Sequence, residues 1–319
     1  MASFSPGRYA AIDIGTVTCR LLIADVDNQG LHELAHGYGI TNLGEGADAS
    51  GFLSDAAMER VARQISQFLD VVASHRNQEN PHIEIVAMAT SASRDAKNGA
   101  EFLRMLEKLG IVPSIISGFK EAALSFLGVS HEFSTSKLLV VDVGGGSTEI
   151  SAGAYGQDLV LSRSMDVGCR RLTERFFTSD PPCEAELTKA RLWIRENLQA
   201  YFSDLANTSF EADQMVAVAG TATSIVSVYE KMESYDRAKV HGSVVDKAMF
   251  EAVFNQLYSL TLEERKKVIG LDPGRAHVIV AGLLILEEVM ALSGCSSFTV
   301  SEADVLQGII LDASQNRRC

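Results

Sequence analysis

The sequence predicts an α/β protein of two domains, and three observations carry that reading. Apolar runs of strand length alternate with segments of helical periodicity along the whole chain. A strand–turn–strand unit with a small, polar corner occurs twice, near the start and again before the middle. The chain has 319 residues, 46% hydrophobic and 22% charged, enough to fill two cores.

Taken in order, Tyr9 to Ile12 is the first strand and runs into Asp13-Ile14-Gly15-Thr16-Val17-Thr18. A second strand-like run, the turn Asp27-Asn28-Gln29-Gly30 and a third run complete a meander. Ser54-Asp55-Ala56-Ala57 opens a helix whose inner face is Met58, Val61, Ile65, Phe68, Leu69 and Val72. Ile83 to Ala89 reads as a strand. Asn98, with Glu101 three residues on, reads as a capping box for a helix stopped by Gly110. Ile111 to Ile116 is the next strand, and Gly118 to Val129 a helix. The scheme restarts at Leu138 to Val141, with a later turn at Gly156-Gln157-Asp158. Helices follow at 184–205, 221–232, 246–260, 274–292 and 304–313, and strands at 215–219, 240–245 and 298–301. The polar stretch Glu132-Phe133-Ser134-Thr135-Ser136 marks the boundary, so the domains are expected at 1–132 and 133–303.

The formal charge of −13 argues against nonspecific nucleic-acid binding and gives a polyanionic substrate no general attraction. Any phosphate chain must be held by backbone amides, helix N-termini, a metal ion and a few arginines. The first residues lack a basic start and an apolar core, and the longest apolar run, Val278 to Leu286, is too short to span a bilayer. The five cysteines are scattered with no Cys-x-x-Cys pair, and the seven histidines show no ligand spacing. A cytoplasmic protein without a membrane partner is expected.

The chemistry concentrates in Asp142-Val143-Gly144-Gly145-Gly146-Ser147-Thr148-Glu149. Three glycines remove every Cβ from the turn, so backbone N–H groups can converge on an anion. Ser147 and Thr148 add hydroxyl donors. Asp142 and Glu149 bracket the turn with oxygen ligands of the kind that suit Mg²⁺ rather than zinc. The first corner has the form Asp-x-Gly-x-x-Thr and the second Asp-x-Gly-x-x-Ser. Two such turns could grip one phosphate chain from both sides. A glycine-rich hairpin with solvated acids is the plain alternative for the second turn, and an Asx hydrogen bond the alternative for Asp13.

The duplicated turn resembles the two phosphate loops of the actin-like ATPase superfamily. The second copy, together with Ala89-Thr90-Ser91-Ala92-Ser93-Arg94-Asp95-Ala96, Ser117-Gly118-Phe119-Lys120-Glu121-Ala122, Val218-Ala219-Gly220-Thr221-Ala222-Thr223 and Gly270-Leu271-Asp272-Pro273-Gly274-Arg275-Ala276, resembles the exopolyphosphatase / guanosine pentaphosphate phosphohydrolase (Ppx/GppA) family. The segments stand in the family's order and cover roughly Tyr9 to Ile310. The resemblance implies two actin-like (ribonuclease H-like) domains with the active site in an interdomain cleft, in the short two-domain form. The closing helix, residues 304–319, is expected to pack back on the first domain.

The implied activity is release of terminal orthophosphate from inorganic polyphosphate, and from pppGpp, by metal-assisted attack of water. Glu121 is then the group that positions and deprotonates the water; otherwise it is a solvated acid at a helix N-terminus. Asp142 and Glu149 would hold Mg²⁺ (or Mn²⁺). Gly144, Gly145, Gly146, Ser147 and Thr148 would bind phosphate, facing Asp13, Gly15, Thr16 and Thr18. Arg94 is a further phosphate ligand, or else an ion-pair partner of Asp95 or Glu101. Gly220 and Thr221 open a helix after a strand and are either phosphate contacts or packing residues. Arg275, with Arg20, Arg170 and Arg171, ranks lower. A homodimer is possible.

The chain departs from the family pattern at Val17, where Asn is usual, at Asn42, where Arg is common, and at Phe119-Lys120, where acidic residues are common. Short oligophosphates are expected to be handled at least as well as long chains, with pppGpp second and ATP poor. An actin-like small-molecule kinase and a non-catalytic alarmone or polyphosphate sensor are the competing readings.

Overall fold

Strands β1 (Gly7–Ile14), β2 (Thr18–Asp27) and β3 (Gly30–Ile40) form the first meander of the computed structural model, which describes residues 4–316. Side chains alternate across the sheet with the period of two that strands impose. Ala10, Ile12 and Ile14 enter one core, and Tyr9 and Ala11 the other. Helices α1 (Ala47–Ser50) and α2 (Asp55–Ser74) follow. The Ser54 side chain accepts the Ala57 N–H at 3.2 Å and caps α2. Met58, Val61, Ile65, Phe68 and Val72 are buried on the expected face, with Leu69 partly buried beside them.

Strand β4 (Glu84–Ala89) pairs parallel to β1. The short helix α3 (Ser91–Asp95) and helix α4 (Gly99–Glu107) follow. The capping box expected at Asn98 is not made. Its amide accepts from Leu53 N and donates to Leu53 O, both at 2.9 Å, and so ties α4 to the loop before α2. Strand β5 is only Ser114–Ile115, because Pro113 has no N–H to donate to a ladder. Helix α5 spans Gly118–Glu132. The sheet order is β3-β2-β1-β4-β5.

Of the described residues, 4–132 together with 304–316 make one compact unit. On its second face Leu124 of α5 and Val305, Leu306, Ile309 and Ile310 of the terminal helix (Val305–Asn316) cover Tyr9, Ala11, Leu22 and Ala24. The two helices meet at glycines. A Cβ on Gly128 would collide with the Asp304 carbonyl, and one on Gly308 with the Leu124 carbonyl. Lys120 on α5 donates to Asp312 at 2.9 Å.

The second unit, Phe133–Ala303, repeats the scheme. Strands β6 (Lys137–Val143), β7 (Thr148–Ala154) and β8 (Leu161–Met165) form its meander. Helices α6 (Cys169–Phe176) and α7 (Glu184–Ala206), strand β9 (Gln214–Val218), helices α8 (Ala219–Tyr229) and α9 (Arg237–Val240), strand β10 (Val244–Asp246), helices α10 (Lys247–Tyr258), α11 (Leu262–Arg265) and α12 (Ile279–Ser293), and strand β11 (Ser297–Val300) complete it. The order β10-β11-β9-β6-β7-β8 contains the same third–second–first–fourth–fifth arrangement, with β10 added at one edge. The strand expected at 240–245 begins as α9, because the Asp236 carboxylate caps Ala238 N and Lys239 N. The helix expected from Gly274 starts at Ile279, after a 3₁₀ turn at Pro273–Arg275 that Asp272 caps. Helix α12 is buried almost throughout, and among the described residues no helix is long and apolar enough to cross a membrane.

The glycine crossing yields a first prediction. Gly308→Ala must separate the terminal helix from α5 or bend one of them, at a cost of about 1–3 kcal/mol. Urea denaturation should show a lower midpoint; an unchanged midpoint would contradict the close backbone approach.

Candidate active site

Both meanders turn their first corner in the same way. Gly15 N–H donates to Thr18 O at 2.9 Å, and Gly144 N–H donates to Ser147 O at 3.0 Å. A Cβ on either glycine would stand 3.0 Å from that same carbonyl oxygen. The sequence repeat is therefore a repeat of backbone geometry.

In the second unit the corner is anchored through its carbonyls. Gly144 O accepts from Cys169 N at 2.9 Å, and Gly145 O accepts from Arg170 N at 2.9 Å and Arg171 N at 3.2 Å. Gly146 O accepts from the Arg171 guanidinium at 2.9 Å. In a trans peptide the C=O and the following N–H point in opposite directions. With their carbonyls on α6, the N–H groups of Gly145, Gly146 and Ser147 are turned away from it, and they donate to no other group among the described residues. Successive amides on one side form an anion cradle. Gly168 is required next to it, since a Cβ there would overlap Gly145 and Gly146 backbone atoms. Neither α6 nor the anchoring by Arg171 was foreseen; Gly168 just before a polar helical run was the one signal available. The Thr148 hydroxyl donates to Val167 O at 2.5 Å, so it supports the turn rather than facing the cradle.

Asp142 and Glu149 are direct cross-strand partners at the base of this corner, and both are buried. Ser164 Oγ donates to Glu149 at 2.6 Å. Two adjacent carboxylates suit a hard divalent cation that keeps several ligands from water or substrate. No group of three or more His, Cys, Asp or Glu side chains among the described residues forms a fuller cage. Arg275 lies against Gly220 at the start of α8, where a Cβ would overlap its guanidinium. Burial pushes the buried Cys169 thiol up, with Arg275 and Arg170 opposing, so both cations stand near the start of α6. Arg170 is itself buried, between Glu174 at 3.1 Å and His277. Thr221 is buried against Gly282 of α12, the packing position that was one of its two expected roles.

In the first unit the carboxyl ends of β1 and β4 gather the other candidates. Thr16 Oγ1 and Ser91 Oγ are 2.8 Å apart and buried, joining the corner to α3. Thr18 opens β2 and closes the corner. Asp13 is buried and makes no Asx turn; its Oδ2 accepts from Arg20 at 2.7 Å and 3.1 Å. Burial pushes the Asp13 carboxyl up, Arg20 pulls it back, and Asp304 pushes it up further, for a net rise. Arg94 donates to Ile116 O at 3.1 Å and lies 3.5 Å from Asp95 and 3.7 Å from Glu121. Glu121 sits in the first turn of α5, with its side chain 14% exposed. Arg94 and Glu121, distant in sequence, are thus brought together.

The departures at Val17 and Asn42 have a local reason. Val17 is buried, and its carbonyl accepts from Thr41 N at 3.0 Å and Asn42 N at 2.9 Å. Asn42 has φ 49°, a left-handed conformation that Asn tolerates better than longer side chains do. Arg60 donates to the carbonyls of Thr41 and Asn42. Lys120 is committed to Asp312.

Two α/β units of one strand order, each with a phosphate-type corner after its first strand, define an actin-like phosphohydrolase fold. The model of the Ppx/GppA phosphatase family matches residues 22–317, and the chain belongs to that family. Exopolyphosphatase 2 of Mycobacterium tuberculosis is 37% identical over 325 residues, covering 95% of this chain and 98% of the relative. The crystal structure of an exopolyphosphatase-like protein superposes with a TM-score of 0.88 at 31% identity, covering 98% of each chain. That of an exopolyphosphatase from Cytophaga hutchinsonii does so with 0.86 at 26% identity, covering 96% of this chain and 98% of the other. Phosphohydrolases of this family generally use divalent metal ions.

A second prediction rests on the cradle. Gly168→Ala pushes α6 off the glycine corner, so the affinity for tripolyphosphate should drop at least about tenfold, the scale of one or two strong hydrogen bonds. Calorimetric titration checks it; wild-type affinity would mean that α6 does not shape the cradle.

Proposed function

We propose that the chain removes terminal orthophosphate from inorganic polyphosphate, short oligophosphates at least as readily as long chains, with pppGpp second and ATP poor. The observation that carries this reading is the set of Gly145, Gly146 and Ser147 amides turned away from α6 beside Asp142 and Glu149. Amide donors bind phosphoryl oxygens without a basic surface, and the net charge of −13 gives a polyanion no general attraction. The exopolyphosphatase names of its relatives supply the substrate class. Free Cys19, Cys169, Cys183 and Cys295 fit a reducing compartment, and we infer a cytoplasmic enzyme acting without nucleic acid or membrane.

The residues divide the work. The amides of the glycine corner hold the oxygens of the terminal phosphoryl group and its neighbour. Gly220 and Arg275 extend that surface toward the leaving chain. Asp142 and Glu149 would hold Mg²⁺ or Mn²⁺, which neutralises phosphate charge in the transition state. Glu121 orients a water and takes its proton as the water oxygen bonds to phosphorus and the bridging P–O bond breaks. The shortened phosphate chain leaves with the bridging electron pair. Arg94, 3.7 Å from Glu121, steadies the carboxylate and offers its guanidinium to a phosphoryl oxygen. In the first unit the Gly15–Thr18 corner binds a second phosphate, with Asp13 acting through water because a carboxylate cannot bind phosphate directly.

Glu121→Gln should lower kcat by about 10²–10⁴-fold with little change in KM, since the group acts in the transition state. Phosphate release under saturating substrate checks this, and a variant with more than half the wild-type rate would remove Glu121 from the mechanism. Glu149→Ala should raise the Mg²⁺ concentration needed for half-maximal rate, and excess EDTA should stop the wild type. An unchanged metal curve would take Glu149 out of the metal site. The substrate assignment is tested by kcat/KM for triphosphate, medium and long polyphosphate, pppGpp and ATP under one salt condition. A hundredfold preference for long chains or for pppGpp would overturn it.

A further inference from the structure

Asp13 and Arg20 face each other across β1 and β2, on the sheet face that α5 and the terminal helix cover. Arg20 does not grip Asp13 in the two-pronged manner usual for a guanidinium and a carboxylate. Its Nε and Nη2 both donate to Asp13 Oδ2, at 3.1 Å and 2.7 Å. Its Nη1 donates instead to Asp304 Oδ2. Asp13 Oδ1 is left without a hydrogen bond among the described residues, although Asp13 is only 5% exposed.

Asp304 is held firmly for this task. Its Oδ1 accepts Leu306 N at 3.0 Å and its own N–H donates to Gln307 Oε1 at 2.8 Å, a reciprocal cap of the terminal helix. Its carbonyl packs on Gly128 of α5, four residues short of that helix's end. The helix that carries Glu121 and the carboxylate that draws Arg20 aside thus share one rigid contact.

We propose that Asp304 is a positioning residue: by taking one prong of Arg20 it keeps the second oxygen of Asp13 available at the phosphate-binding corner. Without it the planar fork rotates onto both oxygens of Asp13 and withdraws the carboxylate from the site. The role in turnover rests on the phosphohydrolase reading, whereas the geometric claim stands apart from it.

Asp304→Ser separates the two duties of the residue, since serine still caps the helix but offers Arg20 no anion. A high-resolution crystal structure of this variant should show Arg20 donating to both oxygens of Asp13. Arg20 remaining on Oδ2 alone would overturn the proposal. In phosphate-release kinetics kcat should fall about tenfold or more, with KM within about twofold, the pattern of a misplaced group rather than lost binding. Adding Arg20→Lys should recover part of that loss, because an ammonium is a point charge that needs only one oxygen. A purely structural role makes the second substitution add to the damage; that outcome, or wild-type kcat in Asp304→Ser, would overturn the assignment. If the wild type releases no phosphate from any condensed phosphate, the functional reading falls, and the crystal structure still decides the geometry.

Discussion

The fold depends at its two critical points on one backbone hydrogen bond, from the glycine N–H that follows the first strand to the carbonyl three residues on. That bond makes the chain reverse tightly, and the carbonyls inside the reversal must then find donors elsewhere. In the second unit they find the first turn of α6, whose amides have no partners within their own helix. In the first unit the carbonyls of Thr16 and Val17 find the amides of Gly44, Thr41 and Asn42. Each pairing settles two debts of unsatisfied backbone at once. It also turns the glycine amides of the second corner outward without any side chain being involved.

This arrangement explains how an acidic chain can serve a polyanion. A basic groove would attract every nucleic acid in reach. Amides carry only partial charge and act over hydrogen-bond distances, so in the proposed function they would recognise a phosphoryl group that has already arrived. The charged groups near the corners are mostly spoken for: Arg171 by a carbonyl, Arg170 by Glu174 and His277, Arg20 by Asp13 and Asp304, and Arg94 in part by Ile116, Asp95 and Glu121. They shape the site more than they attract to it.

Much of this was legible in the sequence because the informative features are local. The α/β alternation, the duplicated corner and the inner face of α2 all follow from spacing over a few residues. What escaped depends on partners far apart in the chain. Asn98 looks like a capping residue, but Leu53 offers its amide a donor and an acceptor together, and that pair wins. Thr221 reads equally as a phosphate contact or a packing residue at a helix start, and only the fold shows Gly282 of α12 against it. Helix α6 is short and polar, and its reason to form is the set of carbonyls it meets in the glycine corner. Asp304 reads from the sequence only as the first residue of the closing helix; the fold shows that its carboxylate both caps that helix and reaches Arg20.

The departures from the family pattern fall into place on the same grounds. At Val17 the corner uses the backbone carbonyl, so an apolar side chain can turn into the core without loosening the bonds that hold the turn. At Asn42 the backbone is left-handed, and the residue type answers to that conformation while Arg60 arrives from α2 to bind the carbonyls. At Lys120 the charge is engaged by Asp312 on the terminal helix, the helix whose first residue is preceded by Asp304. Each substitution therefore changes what a side chain does while preserving what the main chain does. A site built from amides and carbonyls tolerates such drift. A site built from a ring of arginines would not, because every lost guanidinium removes a ligand outright.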